Sequence, residues 1–166
     1  MATTTININS IGTRMPLKQN VNVTHTGTTA NTIISSYLIP SDTFQANDFF
    51  RFVIQASQTN NTNVKTMRVY TNTSISLTGA TLLATRLLTS ASGTAMARDL
   101  VFKNSLSAQE ISSTTNNHGD NENNTNVFVT QLAINFTVNQ YLIIAVELAN
   151  STDSVSLNSL RTNILR

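Results

Sequence analysis

The chain has no cysteine and no tryptophan. The first absence excludes disulfides and thiolate metal sites, and it leaves compartment unreadable from redox chemistry. Charge is also scarce: Asp, Glu, Lys and Arg make up 11% of the chain, with a net charge of +2. A balance so small supplies no basic stripe, and the Lys and Arg residues are not interleaved with aromatics, so no nucleic-acid partner is expected. No apolar run approaches the roughly 20 residues of a helical membrane span, so no membrane partner is expected. The opening MATTTININS lacks the basic-then-hydrophobic order of a secretory signal. The chain therefore reads as soluble and unprocessed.

What is abundant is amide and hydroxyl. Thr, Asn and Ser together supply about two fifths of the 166 residues, far from average usage. Such side chains bond to one another and to turns but repel little, which suits a protein assembled at high local concentration. The length fits one domain able to bury a core without staples.

The stretch from Val64 to Leu88 organises the rest: two strand-like runs joined by the polar, turn-prone segment Asn72 to Gly79. Before it, TIISSYLI runs from Thr32 and ends at Pro40, which cannot donate to a ladder. FFRFVIQA then alternates Phe50, Phe52, Ile54 and Ala56 with Arg51 and Gln55, the pattern of a strand with one core face. In the next run Met67 and Val69 share a face with Lys65 and Thr71. Ala80 to Leu88 is apolar on both sides, which predicts a mid-sheet strand or a subunit contact. Ala95 to Lys103 alternates again, with Arg98 on the apolar side, where a buried guanidinium needs a partner. LSAQEI, Leu106 to Ile111, has local helix-forming character worth one turn at most. Ser112 to Asn126 contains no apolar residue and is long for a structureless loop in a compact domain. Val127 to Thr137 places Phe128, Leu132, Ile134 and Phe136 on one face. QYLIIAVELA, Gln140 to Ala149, is apolar on both faces and predicts a central strand. Val155, Leu157, Leu160 and Ile164 complete the sheet.

About eight strands with turns at short intervals and no long helix predict an all-β chain, an antiparallel sandwich. A jelly roll and an immunoglobulin-like sandwich both fit that count. Residues 1–32 read as an N-terminal arm and 33–166 as the sandwich domain. The arm carries scattered apolar residues, Ile6, Ile8, Ile11, Met15 and Leu17, too few for a core face but enough to add a strand to a sheet edge or to attach to a neighbour.

No catalytic constellation emerges. There is no nucleophile elbow, phosphate-binding glycine loop or cysteine nucleophile, and no pair stands out among the eight carboxylates. No enzyme activity, cofactor or metal is expected. His25 and His118 lack a ligand-spaced partner and read as solvated loop residues. Asp120 and Glu122 are hard oxygen ligands of the kind calcium takes, but without the spacing of an EF-hand, so a solvated loop is favoured. Asn117, His118, Asp120 and Glu122 form a candidate exposed recognition loop. Tyr37, Tyr70 and Tyr141 are possible sugar-stacking platforms, with core packing the favoured reading.

The segment IPSDTFQANDFFRFVIQASQTNNTNVKTMRVYTNTSISLTGATLLAT, Ile39 to Thr85, resembles a small β-sandwich domain of tailed-bacteriophage structural proteins. Ile39 and Pro40 lead into a polar turn, Asp48 opens the Phe50 strand, Lys65 and Arg68 occupy the next, and Asn72 precedes SLTGATLLAT. NFTVNQYLIIAVELANSTDSV, Asn135 to Val155, is similar to the penultimate strand and exit turn of the same domain. The resemblance implies a jelly-roll-type fold, a trimer, other virion proteins as partners, and a place on the virion as a head fibre, capsid decoration protein or tail-associated adhesin. The last of these would bind a host surface glycan. It implies no catalysis.

Overall fold

The computed structural model describes residues 18–19, 22–88, 93–112 and 129–166. Eleven strands run through them: β1 (Lys18–Gln19), β2 (Val23–Thr26), β3 (Thr32–Ile39), β4 (Phe49–Gln58), β5 (Lys65–Asn72), β6 (Thr81–Leu88), β7 (Gly93–Phe102), β8 (Gln109–Ser112), β9 (Val129–Leu132), β10 (Gln140–Leu148) and β11 (Ser154–Leu165). There is no helix among the described residues. All pairings are antiparallel.

The larger sheet has the order β1-β11-β4-β7-β8-β9, with β2 also on β11, and the smaller has the order β3-β10-β5-β6. From β2 to β5 each strand crosses to the opposite sheet, β5 and β6 form a hairpin within the smaller sheet, and β7 returns to the larger, so β2-β11-β4-β7 faces β3-β10-β5-β6. That eight-strand arrangement is a jelly roll, and it removes the immunoglobulin-like alternative. The hairpin of β8 and β9 extends the larger sheet beyond β7.

The core follows from alternation. Phe50, Phe52, Ile54 and Ala56 of β4 are all buried, as are Leu142, Ile144, Val146 and Leu148 of β10. β10 lies between β3 and β5, the central position its two-sided apolarity predicts. In β11 the inward residues shift from Val155 and Leu157 to Leu160, Thr162 and Ile164 because Asn158 is an extra residue in the pairing with β4. Such a bulge resets which positions face inward. Phe44, Phe50, Phe102 and Phe136 stack with ring centroids 4.6–5.1 Å apart. Each such pair adds about 0.5–1.5 kcal/mol beyond area burial.

Turn chemistry closes the strands. Gly79, at φ 72°, takes the left-handed conformation before β6. Asn47 also has positive φ, and its side-chain oxygen accepts from the Asn104 N–H at 3.0 Å, joining two turns at one end of the sandwich.

Several expectations are corrected. β6 is the edge of the smaller sheet, not a mid-sheet strand; a bulge opposite Val69 and Tyr70 turns both Leu83 and Ala84 inward, which accounts for its irregular pattern. LSAQEI forms a turn and then β8, not a helical turn. Gln109, Glu110 and Ile111 pair with both β7 and β9, and the Gln109 amide bonds the Ile134 backbone at both N–H and C=O, 3.0 Å each. His25 is not a loop residue: β2 pairs it with inward-facing Val155, and it is buried. Within the segment read as an arm, Val23–Thr26 is the first strand of the jelly roll.

Candidate functional site

The outward sides of the two sheets differ in chemistry. In the smaller sheet, β10 packs Leu142, Ile144, Val146 and Leu148 into the core, so Tyr141, Ile143, Ala145 and Glu147 face away from it. Register then sets the rows of that outer face. Leu38, Tyr141 and Asn72 align; Ser36, Ile143, Tyr70 and Leu82 form the next row; Ile33, Ala145, Arg68 and Thr85 the third. Leu38 and Leu87 are 44% and 40% exposed, and Tyr70, Tyr141, Leu82 and Ile33 are half-buried. Arg68 and Glu147 are diagonal neighbours joined at 2.6 Å. Tyr, Arg and Leu on a β surface are the composition of a contact face more than of a solvated one.

The outer side of the larger sheet is bonded to itself. Thr24 and Ser156 hydroxyls meet at 2.6 Å, the Ser57 hydroxyl donates to Asn158 Oδ1 at 3.2 Å, and the Ser159 hydroxyl donates to Gln55 Oε1 at 2.9 Å. Arg51 grips Asp99 through two nitrogens at 2.8 and 3.1 Å. Glu110 accepts from Lys103 and Gln131, and these bonds, that from Lys103 first, hold its carboxyl below the usual range. Apolar side chains here are fewer: Val53, Ala95, Ala97 and Val101 between strands, and half-buried Phe49 with exposed Val129 and Leu165 at strand ends.

A third feature lies at the end of the sandwich where the β4–β5 and β10–β11 loops meet. Lys65 is 0% exposed and Asp153 1%. Lys65 Nζ donates to Asn61 Oδ1 and, at 2.9 Å, to the Asn63 carbonyl. Asn61 Nδ2 donates to Asp153 Oδ1 at 2.6 Å, and Asp153 Oδ2 accepts no hydrogen bond and sits 3.9 Å from Lys65 Nζ. The Asn61 amide outweighs the desolvation and, with Asn63 and the Lys65 charge adding to it, holds the Asp153 carboxyl below the usual carboxylate range. Taking both charges of such a pair out of water is costly, and here the hydrogen bonds of the ammonium and of Oδ1 offset part of that cost while Oδ2 stays unbonded. The sequence carried one signal of this cluster, Lys65 on the face of Met67 and Val69; Asn61 and Asp153 looked like ordinary loop residues.

Of the residues singled out in the sequence, Ile6, Ile8, Ile11, Met15 and Leu17, and Asn117, His118, Asp120, Glu122 and Phe128, lie outside the described residues. Tyr37 packs against the core, whereas Tyr70 and Tyr141 stand on the outer face of the smaller sheet, contrary to the core packing expected of them. No group of three or more His, Asp or Glu placed to hold a metal occurs among the described residues.

No family model matches the sequence, and no curated protein does. Solved structures similar in shape include two of unlike kinds. One is a lectin from Bauhinia forficata in complex with GalNAc, at TM-score 0.35 and 6% identity over 81% of this chain and 78% of the lectin. The other is the structure of infectious bursal disease virus Gx strain, at TM-score 0.28 and 11% identity over 92% of this chain. This chain spans only 42% of that viral chain. Scores at this level carry no functional argument.

Proposed function

We propose that this protein is a non-catalytic structural accessory protein of a bacteriophage virion, a head fibre or capsid decoration protein. It assembles as a symmetric trimer held to the particle by the segment preceding β1. The observation that carries the reading is the unequal chemistry of the two outer faces: a jelly roll with a Tyr- and Leu-bearing sheet face on one side and a self-satisfied hydroxyl and amide face on the other is built to be covered on one side and wet on the other. The phage assignment itself leans on the sequence resemblance of Ile39 to Thr85, since a fold alone does not fix a job. Jelly rolls serve viral capsids and lectins alike.

The test begins with imaging of virions labelled with an antibody to the domain. Label on the head supports decoration, and label on the tail favours the second reading below. Absence of label from particles removes the proposal. Deleting residues 1–17, which leaves β2 intact, is expected to yield a folded domain that no longer joins particles; normal incorporation refutes the anchoring role.

A second reading, a tail adhesin that binds a host glycan, is favoured by one observation. Tyr70 and Tyr141 are diagonal neighbours on the same outer face, beside Asn72, and Asn31 Nδ2 donates to the Tyr70 hydroxyl at 3.3 Å. Aromatic faces flanked by amides suit sugar stacking. Glycan-array binding that disappears in Tyr70→Ala and Tyr141→Ala would select this reading over simple subunit contact. Binding lost instead on shortening the Ser112 to Asn126 loop would move the recognition site there.

A further inference from the structure

The cluster of Lys65, Asn61 and Asp153 holds an amine, a carboxamide and a carboxyl in a dry place with no solvent access to two of the three. We infer that Lys65 and Asn61 become joined by an intramolecular isopeptide bond, with Asp153 carrying the protons.

The geometry supplies each requirement of an amide exchange. The nucleophile is at hand, because Lys65 Nζ contacts Asn61 Oδ1, one bond from the carbonyl carbon it must attack. The carboxamide is gripped from two sides: Oδ1 accepts the Asn63 N–H at 3.1 Å, and Nδ2 donates to Asp153 Oδ1 at 2.6 Å. A backbone N–H on the oxygen that takes up charge is the arrangement that stabilises a tetrahedral intermediate. Asp153 Oδ2, buried and without a hydrogen-bond donor, is the open position for a proton from the ammonium 3.9 Å away. The positions are also fixed in advance by strand and loop, which lowers the entropic part of the barrier.

A proton passes from the Lys65 ammonium to Asp153 Oδ2, which frees the nitrogen lone pair. The amine attacks Asn61 Cγ, and the C=O electron pair moves onto Oδ1 beneath the Asn63 N–H. Asp153 protonates Nδ2, the Cγ–Nδ2 bond breaks, and ammonia departs as the C=O reforms. The new amide nitrogen returns its extra proton to Asp153. One Nζ–Cγ bond replaces one Cγ–Nδ2 bond, with no oxidant or other reactant, and Asp153 ends protonated. In the resting ion pair the Asn61 amide keeps the carboxyl ionised, so the neutral pair is a minor species and the reaction proceeds slowly after folding.

The experiment is intact-mass spectrometry of the purified full-length protein, fresh and aged, with tryptic mapping. The expected result is a deficit of one ammonia relative to the sequence, no cleavage after Lys65, and that deficit carried by the single tryptic fragment from Phe52 to Arg68, whose fragment ions place an internal ring between Asn61 and Lys65. A mass equal to that of the sequence overturns the inference. So does an ammonia deficit with normal cleavage after Lys65, since that is a backbone succinimide at an asparagine. Asp153→Ala separates the proton carrier from its neighbours: a cross-link that forms equally fast without Asp153 refutes its role, and the map of the unmodified protein stands whether or not that variant folds.

Discussion

The two sheets share one core and differ in what they show outside. β11 and β4 turn most of their outward positions to serine, asparagine, glutamine and arginine, with Phe49 and Val53 among the rest, and Ser57 with Asn158, Ser159 with Gln55, and Arg51 with Asp99 are bonded within the sheet. β10 and β5 instead place Ile143 and Ala145 outward, fully buried, beside Tyr70, Tyr141 and Arg68. The difference teaches that the abundance of Thr, Asn and Ser is not evenly spent. Side chains that satisfy one another across strands need no partner, whereas exposed leucine and tyrosine gain by finding one.

The largest test of this contrast is a pair of truncations on the outward positions. Ile143→Ala is expected to cost about 2–5 kcal/mol in urea unfolding, the range for emptying a fully buried site, whereas exposed Asn163→Ala on the larger sheet should stay within about 0.5 kcal/mol. Equal effects would mean that the two faces are not different in kind. Next is association. Leu38→Asp combined with Leu87→Asp should weaken self-association at least about tenfold by sedimentation, or about 1.4 kcal/mol, while Arg161→Ala leaves it unchanged. If neither changes the oligomer, the covered face lies elsewhere. The smallest effect concerns the ion pairs. Arg51→Ala and Arg68→Ala should each cost about 0.2–1 kcal/mol in unfolding, with Arg51 at the upper end because its guanidinium holds Asp99 at two points. A larger loss at Arg68, appearing only in the assembled protein, would show that the Glu147 pair is desolvated at a contact.

The fold was legible where alternation was clean. Phe50 to Ala56 announced its buried face, Pro40 ended its strand, and the two-sided apolarity of Gln140 to Ala149 led to the centre of a sheet. The misreadings have local causes. A bulge made an edge strand look buried on both sides at Leu83 and Ala84. Hydrogen bonds from the Gln109 side chain and ladders on two sides overrode the helical tendency of LSAQEI. His25 was read from its polar neighbours, yet Thr24 and Thr26 point the other way from it along a strand. The tyrosine-bearing outer face was harder to find, because Tyr70 and Tyr141 look the same in sequence whether they point inward or outward; only the register of β5 on β10 separates the cases. The Lys65 cluster needed two loops to meet, which no local pattern encodes.

The way β11 is placed bears on how the chain reaches this state. Thr24 bonds Ser156 across 132 residues of sequence, and β4 is paired with a strand that begins nearly a hundred residues later. Folds dominated by such distant pairings form slowly, in milliseconds to seconds, because the loop entropy is lost before the contacts return it. The larger sheet lacks its central connection until β11 has been synthesised, so β2 and β4 emerge from the ribosome with no permanent neighbour on that side. A sequence poor in charge then has few means of keeping chains apart during the interval. Crowded synthesis in one cell is the condition under which this chain is most exposed to pairing with a copy of itself.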